Sequence, residues 1–476
     1  MSRKTALQLR FALGDYLVTW QLPSMKGGTF PASGALTLEA GKPPEGTAHG
    51  ELDDALKEMT KGVVGFPQHI DLPTLSGHLS NGANILLINA RIDFWAPTQA
   101  RISANAAVIT LAEIADIDEV SFKFFEIQIG GLDAIAGAAP IKSTNFPTKG
   151  VTGNWSAELH SDSGQEWSDT GATMKLAYHG SFRLFDPYAF SMSFSPVLSC
   201  ELAEAVPLRQ LLDEWVTPLR RVISIATGRP EEITFLSVRP VTSDGGKYDG
   251  QLFGSGITQD PYESTREEVE KTNSPLRLKP DDVSLLSLVR TWQKLVATRH
   301  PLIETYGSML HALDQHPRSR FLLLLQAIEG THGHETKESF KKRQKKHSDE
   351  REELVEIVKD YLNEKQLKFL ERNLGKRPPG GLESAINWLS KKLPGDLKKD
   401  LDSTDLVTTT RSEPINARDA PDALRIIRNN LAHGTKGYDA YELYRVVEVL
   451  EQAVRAHALE LLGCSDGIIG RVLKAT

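Results

Sequence analysis

The spacing of hydrophobic positions changes character once along this chain. In the first half, short runs of β-branched and aromatic residues alternate with polar ones: Tyr16 to Leu22, Asn84 to Trp95, Trp155 to His160, Thr173 to Tyr178 and Phe190 to Leu198. Such runs, separated by turn residues such as Gly27-Gly28 and Asp186-Pro187 and ended by Pro97, predict strands. Between Val120 and Ile129 the apolar set is Val120, Phe122 and Phe124, then Phe125, Ile127 and Ile129. A one-residue change of phase inside a period-two pattern predicts a β-bulge. Few helical crossovers separate these runs, so an antiparallel sandwich or barrel is expected.

At Pro207 the period lengthens. Leu208, Leu211, Leu212, Trp215, Leu219, Val222, Ile223 and Ala226 recur at helical spacing, with Gly228 as a stop. Ile233 to Val238 returns to strand character, and the polar stretch from Gly254 to Asp282, broken by Pro261, Pro275 and Pro280, has the composition of a linker. Beyond it the pattern is helical: Leu285 to Ala297, Arg320 to Ile328, Glu350 to Leu362 and Leu382 to Leu393, the last two parted by Pro378-Pro379-Gly380-Gly381. The final stripe is Leu443, Val447, Leu450, Val454, His457 and Leu461. A lone histidine on such a stripe is expected to be a satisfied core or interface residue rather than a ligand. The fold class is therefore α+β and multidomain. A β-rich, sandwich- or barrel-like domain over 1–253, with a helix near 208–227, precedes a linker at 254–283 and a helical bundle over 284–476.

Composition excludes several classes. With 40% hydrophobic and 25% charged residues among 476, the chain is ordinary globular protein of more than one domain. Its longest aliphatic run, Leu322 to Leu325, is far below membrane-helix length, and Arg10 and Asp15 interrupt any export signal after Arg3 and Lys4. Two cysteines, Cys200 and Cys464, fit a reducing, cytoplasmic setting without disulfides or a cysteine-based zinc site. A net charge of −7 argues against general coating of nucleic acid, although a local basic surface suffices for an enzyme acting on it. One such run exists, Lys341-Lys342-Arg343-Gln344-Lys345-Lys346. It reads first as a solvated loop or helix end, and alternatively as a contact for an RNA backbone.

The segment Asp422-Ala-Leu-Arg-Ile-Ile-Arg-Asn-Asn-Leu-Ala-His-Gly434 concentrates the chemistry. Leu424, Ile427 and Leu431 would pack inward, leaving Arg425, Arg428, Asn429 and Asn430 on or near the exposed side. Asn429 and His433 share a helical face, Arg428 flanks them, and Gly434 marks the helix end. Cleaving RNA without a metal requires a group that accepts and returns protons near neutrality and a fixed fork of donors for phosphate oxygens. Histidine and arginine supply these, and asparagine can hold an oxygen or orient the imidazole. A second cluster, Glu329, His332 and His334, lacks the fixed arrangement of a zinc site. Gly330 and Gly333 would loosen it into a solvated helix-end loop.

Arg428-Asn429-x-x-x-His433, followed by Gly434 and a long amphipathic helix, resembles the Arg-x4–6-His signature of HEPN domains. The helix Arg320 to Glu329 is similar to the opening helix of that domain, Glu460-Leu-Leu-Gly463 fits its end, and the resemblance covers roughly 284–470. The layout as a whole resembles the ApeA-type anti-phage defence proteins. That resemblance implies a metal-independent endoribonuclease that needs no cofactor and leaves 2′,3′-cyclic phosphate and 5′-hydroxyl ends. Arg428, His433 and Asn429 would be catalytic, with Asn430 and Glu329 as accessory residues. It further implies an RNA substrate, tRNA among the candidates, a homodimer or higher homo-oligomer, and an N-terminal domain that senses a phage-derived trigger and restrains the nuclease. The alternative is a non-catalytic HEPN scaffold that only dimerises, with a ligand-sensing β domain; a carbohydrate- or peptide-binding role for the N-terminal sheet is a third expectation.

Overall fold

The computed structural model describes residues 7–24, 28–49, 69–96, 99–113, 121–145, 153–154, 156–186, 188–242, 248–311, 315–375, 381–413 and 417–474. Arg3, Lys4, Gly27, Pro97, Val120, Trp155, Pro187 and Pro378 to Gly380, named above, lie outside these residues. The chain divides into two compact units, Met1–Thr227 with Glu231–Val289, and Gly228–Pro230 with Arg290–Thr476. The helix Leu285–Ala297 contains the boundary.

In the first unit, six strands close a barrel: β1 (Gly14–Pro23), β2 (Thr29–Leu38), β3 (Glu45–His49), β4 (Ile70–Leu79), β5 (Asn84–Ala96) and β6 (Gln99–Ser103). The order β5-β4-β1-β2-β3-β6 returns to β5, with every pairing antiparallel. Alternation places Val18, Trp20, Leu36, Leu75, Ile85, Ile92 and Ile102 inside. Trp20 donates its indole N–H to the Thr47 carbonyl at 2.9 Å. Its ring fits because glycines surround it. A Cβ on Gly34 would stand 1.9 Å from the Thr47 oxygen and 2.7 Å from the Trp20 Nε1, and one on Gly77 would stand 3.0 Å from the ring.

β5 also pairs outside the barrel. Asn84 to Ile88 pairs with β7 (Ala106–Thr110), whereas Arg91 to Ala96 pairs with β6. Asn89, at the junction, has φ +50°, a conformation asparagine tolerates better than most residues. Following β7 along the chain come β8 (Ser121–Ile129), β9 (Ile141–Asn145), β10 (Ser156–Leu159), β11 (Gln165–Ser168) and β12 (Ala172–Asp186). The last three are β13 (Ala189–Pro207), β14 (Ile233–Pro240) and β15 (Gly250–Gly254). The sheet extends in the order β7-β15-β14-β8-β13-β12-β11, and β9 and β10 form a separate pair.

The expected bulge lies in β8. Its register against β14 slips between the Arg239–Phe124 and Pro240–Phe122 pairs. Lys123 points outward there, and Phe122, Phe125, Ile127 and Ile129 are all buried. The expected single helix after Pro207 is instead Leu208–Leu211, a π-helical turn Leu212–Val216, and Thr217–Thr227. The wider turn lets both Trp215 and Val216 face the core. Gly228 follows with φ +73°.

The stretch 254–283 is not a linker. It packs within the first unit through a helix, Arg266–Thr272, and through polar contacts that satisfy its backbone. The buried Gln128 carboxamide donates to the Tyr262 carbonyl at 3.0 Å and accepts from the Tyr262 amide at 2.8 Å. Ser274, Leu276 and Leu278 are buried.

The second unit is helical, as expected: α1 (Pro301–His311), α2 (Pro317–Glu335), α3 (Lys337–Lys359), α4 (Glu364–Asn373) and α5 (Leu382–Lys392), then α6 (Leu397–Asp402), α7 (Asp405–Ser412), α8 (Ala420–His433), α9 (Ala440–Leu461) and α10 (Asp466–Leu473). α2 is the central element, packed on α1, α5 and α9 and burying Phe321, Leu324, Leu325, Ile328 and Thr331. It runs unbroken through Gly330 and Gly333, so the loop expected around His332 and His334 is helix. The Leu443-to-Val454 stripe of α9 is buried within this unit, with Leu461 partly exposed. α3 begins ahead of its predicted start and carries the basic run in mid-helix.

Candidate functional site

α8 is fixed at both ends. Asp419 caps its first turn by accepting from the Asp422 amide, and Pro421 stands where no backbone donor is needed. At the other end Gly434, φ +69°, donates to the Asn430 carbonyl, and Arg318 from α2 donates to the carbonyl of Leu431. Leu424, Ile427 and Leu431 are buried as the spacing predicts. His433 therefore ends the helix on an exposed surface, its side chain making no hydrogen bond or ion pair among the described residues.

The other polar residues of the segment separate by what they touch. Arg425 is committed to structure: its Nε lies 2.8 Å from Glu383 of α5 and its Nη2 2.5 Å from Asp422. Burial raises the Asp422 carboxyl, but the Arg418 amide and the Arg425 and Arg418 side chains outweigh it and hold the group below its usual value. Asn430 is likewise structural, donating to the Tyr438 hydroxyl at 2.7 Å and accepting from Thr435 at 2.9 Å, so it shapes the loop after Gly434. Arg428 differs. It makes one long contact to Asn429 Oδ1, 3.2 Å, and one to Glu329 Oε2, 3.3 Å, with its side chain 41% exposed. Arg428, Asn429 and Glu329 are thus brought together beside the turn that ends in His433, and Asn430 is drawn away into the loop.

Glu329 also lines a cavity of about 300 Å³ with His332, Phe340 and Arg343. Burial and then the Arg343 guanidinium push the His332 imidazole below its ordinary value. His332 stands against the Trp388 ring and His334 against the His300 ring, at 5.4 and 4.7 Å. Among the described residues no three His, Cys, Asp or Glu side chains converge as metal ligands.

A second polar cluster escaped sequence reasoning. Glu335, at the end of α2, receives His457 Nε2 at 2.8 Å and Lys392 at 2.6 Å, with His300 3.8 Å away. The other ring nitrogen of His457 meets Glu460 at 2.7 Å. His457 is the satisfied core histidine expected from its place on the stripe. Nothing local announced Glu335, because its partners come from separate helices; the polar residue on an apolar stripe was the available signal.

The sequence model described as ApeA N-terminal domain 1 matches residues 15–292, and that described as Apea-like HEPN matches residues 322–468. The chain belongs to the ApeA family. The first match alone spans more than half of the chain. In this ApeA-family chain it takes in the barrel, the extended sheet and the stretch 254–283, and the second includes Glu329, Arg428, Asn429 and His433. At family level these domains belong to nuclease effectors of anti-phage defence. Neither the curated proteins nor the solved structures yield a match. No described helix of this ApeA-family chain is long and apolar enough to cross a membrane.

Proposed function

We propose that the chain is a metal-independent endoribonuclease effector acting in the cytoplasm, with Arg428, Asn429 and His433 as its catalytic residues. The observation that supports this most is the contrast within α8. Arg425 and Asn430 are fully engaged, whereas Arg428 is weakly held and His433 is unengaged at an exposed helix end. In this reading His433 takes the proton from the 2′-hydroxyl as its oxygen attacks phosphorus, and the 5′-oxygen leaves as it gains a proton. Arg428 exchanges its long contact with Glu329 for the phosphate oxygens, where a planar fork of donors is most effective. Glu329 holds the fork in place until substrate arrives, and Asn429 supports it.

A single histidine cannot be base and acid within one step, so the reading pairs two chains about a twofold axis, with His433 of the partner subunit giving the second proton. tRNA is a candidate substrate, and the N-terminal unit is assigned the sensing of a phage-derived trigger. Purified chain incubated with RNA and EDTA should yield 2′,3′-cyclic phosphate and 5′-hydroxyl ends, and His433→Ala should not. Activity lost on chelation and restored by Mg²⁺ would contradict the mechanism. Excess His433→Ala chain mixed with wild-type chain should suppress cleavage beyond simple dilution if the cleft is shared, because each mixed dimer would hold a single His433.

A further inference from the structure

α3 carries its charge in two blocks. Lys341, Lys342, Arg343, Lys345 and Lys346 crowd its first half, and Asp349, Glu350, Glu352, Glu353 and Glu356 follow in its second. Lys341 with Lys345, and Lys342 with Lys346, are four apart, so like charges stand on adjacent turns at a cost to the helix. Bases toward the start and acids toward the end also reverse the polarity that complements a helix dipole. The arrangement is therefore not explained by the stability of α3, which buries no residue of its own. Lys341 pairs with Glu338 at 2.9 Å and Lys346 with Glu350 at 3.6 Å, both exposed and readily exchanged. Lys342 and Lys345 have no ion pair among the described residues.

The run is also connected to the site. Arg343 lines the same cavity as Glu329, the carboxylate that holds Arg428, and between them stand His332, Thr336 and Phe340. Arg343 thus stands on the cavity it shares with Glu329, and the four lysines, all exposed, lie within three residues of it on the same helix. We infer that Lys341, Lys342, Lys345 and Lys346 form a phosphate track that grips the RNA backbone beyond the cleaved bond, with Arg343 as its link to the site. The inference rests on the ribonuclease reading, and it gives a chain of net charge −7 a place to hold a polyanion.

The test measures binding of a single-stranded 20-mer RNA by anisotropy, using full-length His433→Ala chain so that the probe stays intact. Adding Lys341→Glu, Lys342→Glu, Lys345→Glu and Lys346→Glu should weaken binding about a hundredfold at moderate salt. It should also flatten the slope of log Kd against log salt by about 3, the amount expected for four lost phosphate contacts. The alanine version of the four changes should give a smaller loss in the same direction, and both variants should keep the parent's unfolding temperature. Affinity and slope within twofold of the parent would overturn the track, as would a parent that binds no RNA. An altered oligomeric mass with unchanged RNA affinity would also overturn it, because the run would then serve contact between copies. Loss of binding in the lysine variant, alongside wild-type chain that cleaves nothing, would leave the track standing and refute the ribonuclease reading.

Discussion

Glu329 and Glu335 lie on the same helix, and each holds basic side chains from elsewhere in the second unit, yet the two clusters are built differently. Glu335 is engaged by His457 and Lys392 at 2.8 and 2.6 Å, and His457 is itself held on its other side by Glu460. Glu329 has a single long contact, to an arginine whose fork remains largely open. A buried polar network in which each member has its partner rigidifies a fold, and removing one member leaves the others unpaired. An exposed, loosely held pair can exchange its contacts for those of a substrate at little cost. The difference teaches which cluster is scaffold and which is available for chemistry.

Substitutions at the two clusters should therefore give opposite phenotypes. His433→Ala should lower the cleavage rate about 1000-fold, the scale of a lost acid–base group, with an unfolding temperature like that of wild type. A comparable loss of stability in that variant would erase the contrast. Arg428→Lys keeps the charge but not the fork, and should lower the rate about 100-fold without changing the unfolding midpoint. Near-wild-type cleavage would reduce Arg428 to a diffuse positive charge.

In the other cluster the readouts reverse. His457→Ala leaves Glu335 with Lys392 alone at close range and removes the 2.7 Å partner of Glu460, and should cost about 2 kcal/mol in denaturant unfolding while the folded fraction keeps its rate per molecule. Burial raises the Glu335 carboxyl, but the His300, His457 and Lys392 side chains around it outweigh that and hold the group well below its ordinary 4.5. A depressed carboxylate contributes stability above that ordinary value and loses it as pH falls through the lower, folded value. The second unit should lose stability on acidification below about pH 4.5. Glu335→Gln should show a shallower acid limb in denaturant midpoints from pH 7 to 3, and an unchanged slope would sever the link. The smallest effect is expected for Asn430→Ala, about 1 kcal/mol through the loop it shapes, with a modest fall in rate.

The strands, the bulge in β8 and the inward face of α8 were legible because each depends on residues close in sequence, whose spacing records which side is buried. Arg428, Asn429 and His433 were legible for the same reason. What sequence could not convey depends on distant partners. Arg425 and Arg428 look alike in the segment, and only Glu383 and Glu329, contributed by other helices, tell them apart. Pro261, Pro275 and Pro280 suggested a spacer because the residue satisfying the Tyr262 backbone is Gln128, far back on β8. Gly330 and Gly333 suggested a break, but the tertiary packing of α2 on α1, α5 and α9 outweighs their low helix propensity.

The divided loyalty of β5 bears on how the first unit can be dissected. One edge of that strand lies against β4, and the other is given first to β7 and then, past Asn89, to β6. A fragment beginning after β6 would leave β7 with a bare row of amides and carbonyls along its whole length, an invitation to pair with another chain. A fragment ending at β6 would bare the first half of β5 in the same way. Barrel and extension are not two modules joined in series: a cut after β6 makes two sticky ends, and only a polypeptide holding both β5 and β7 has neither.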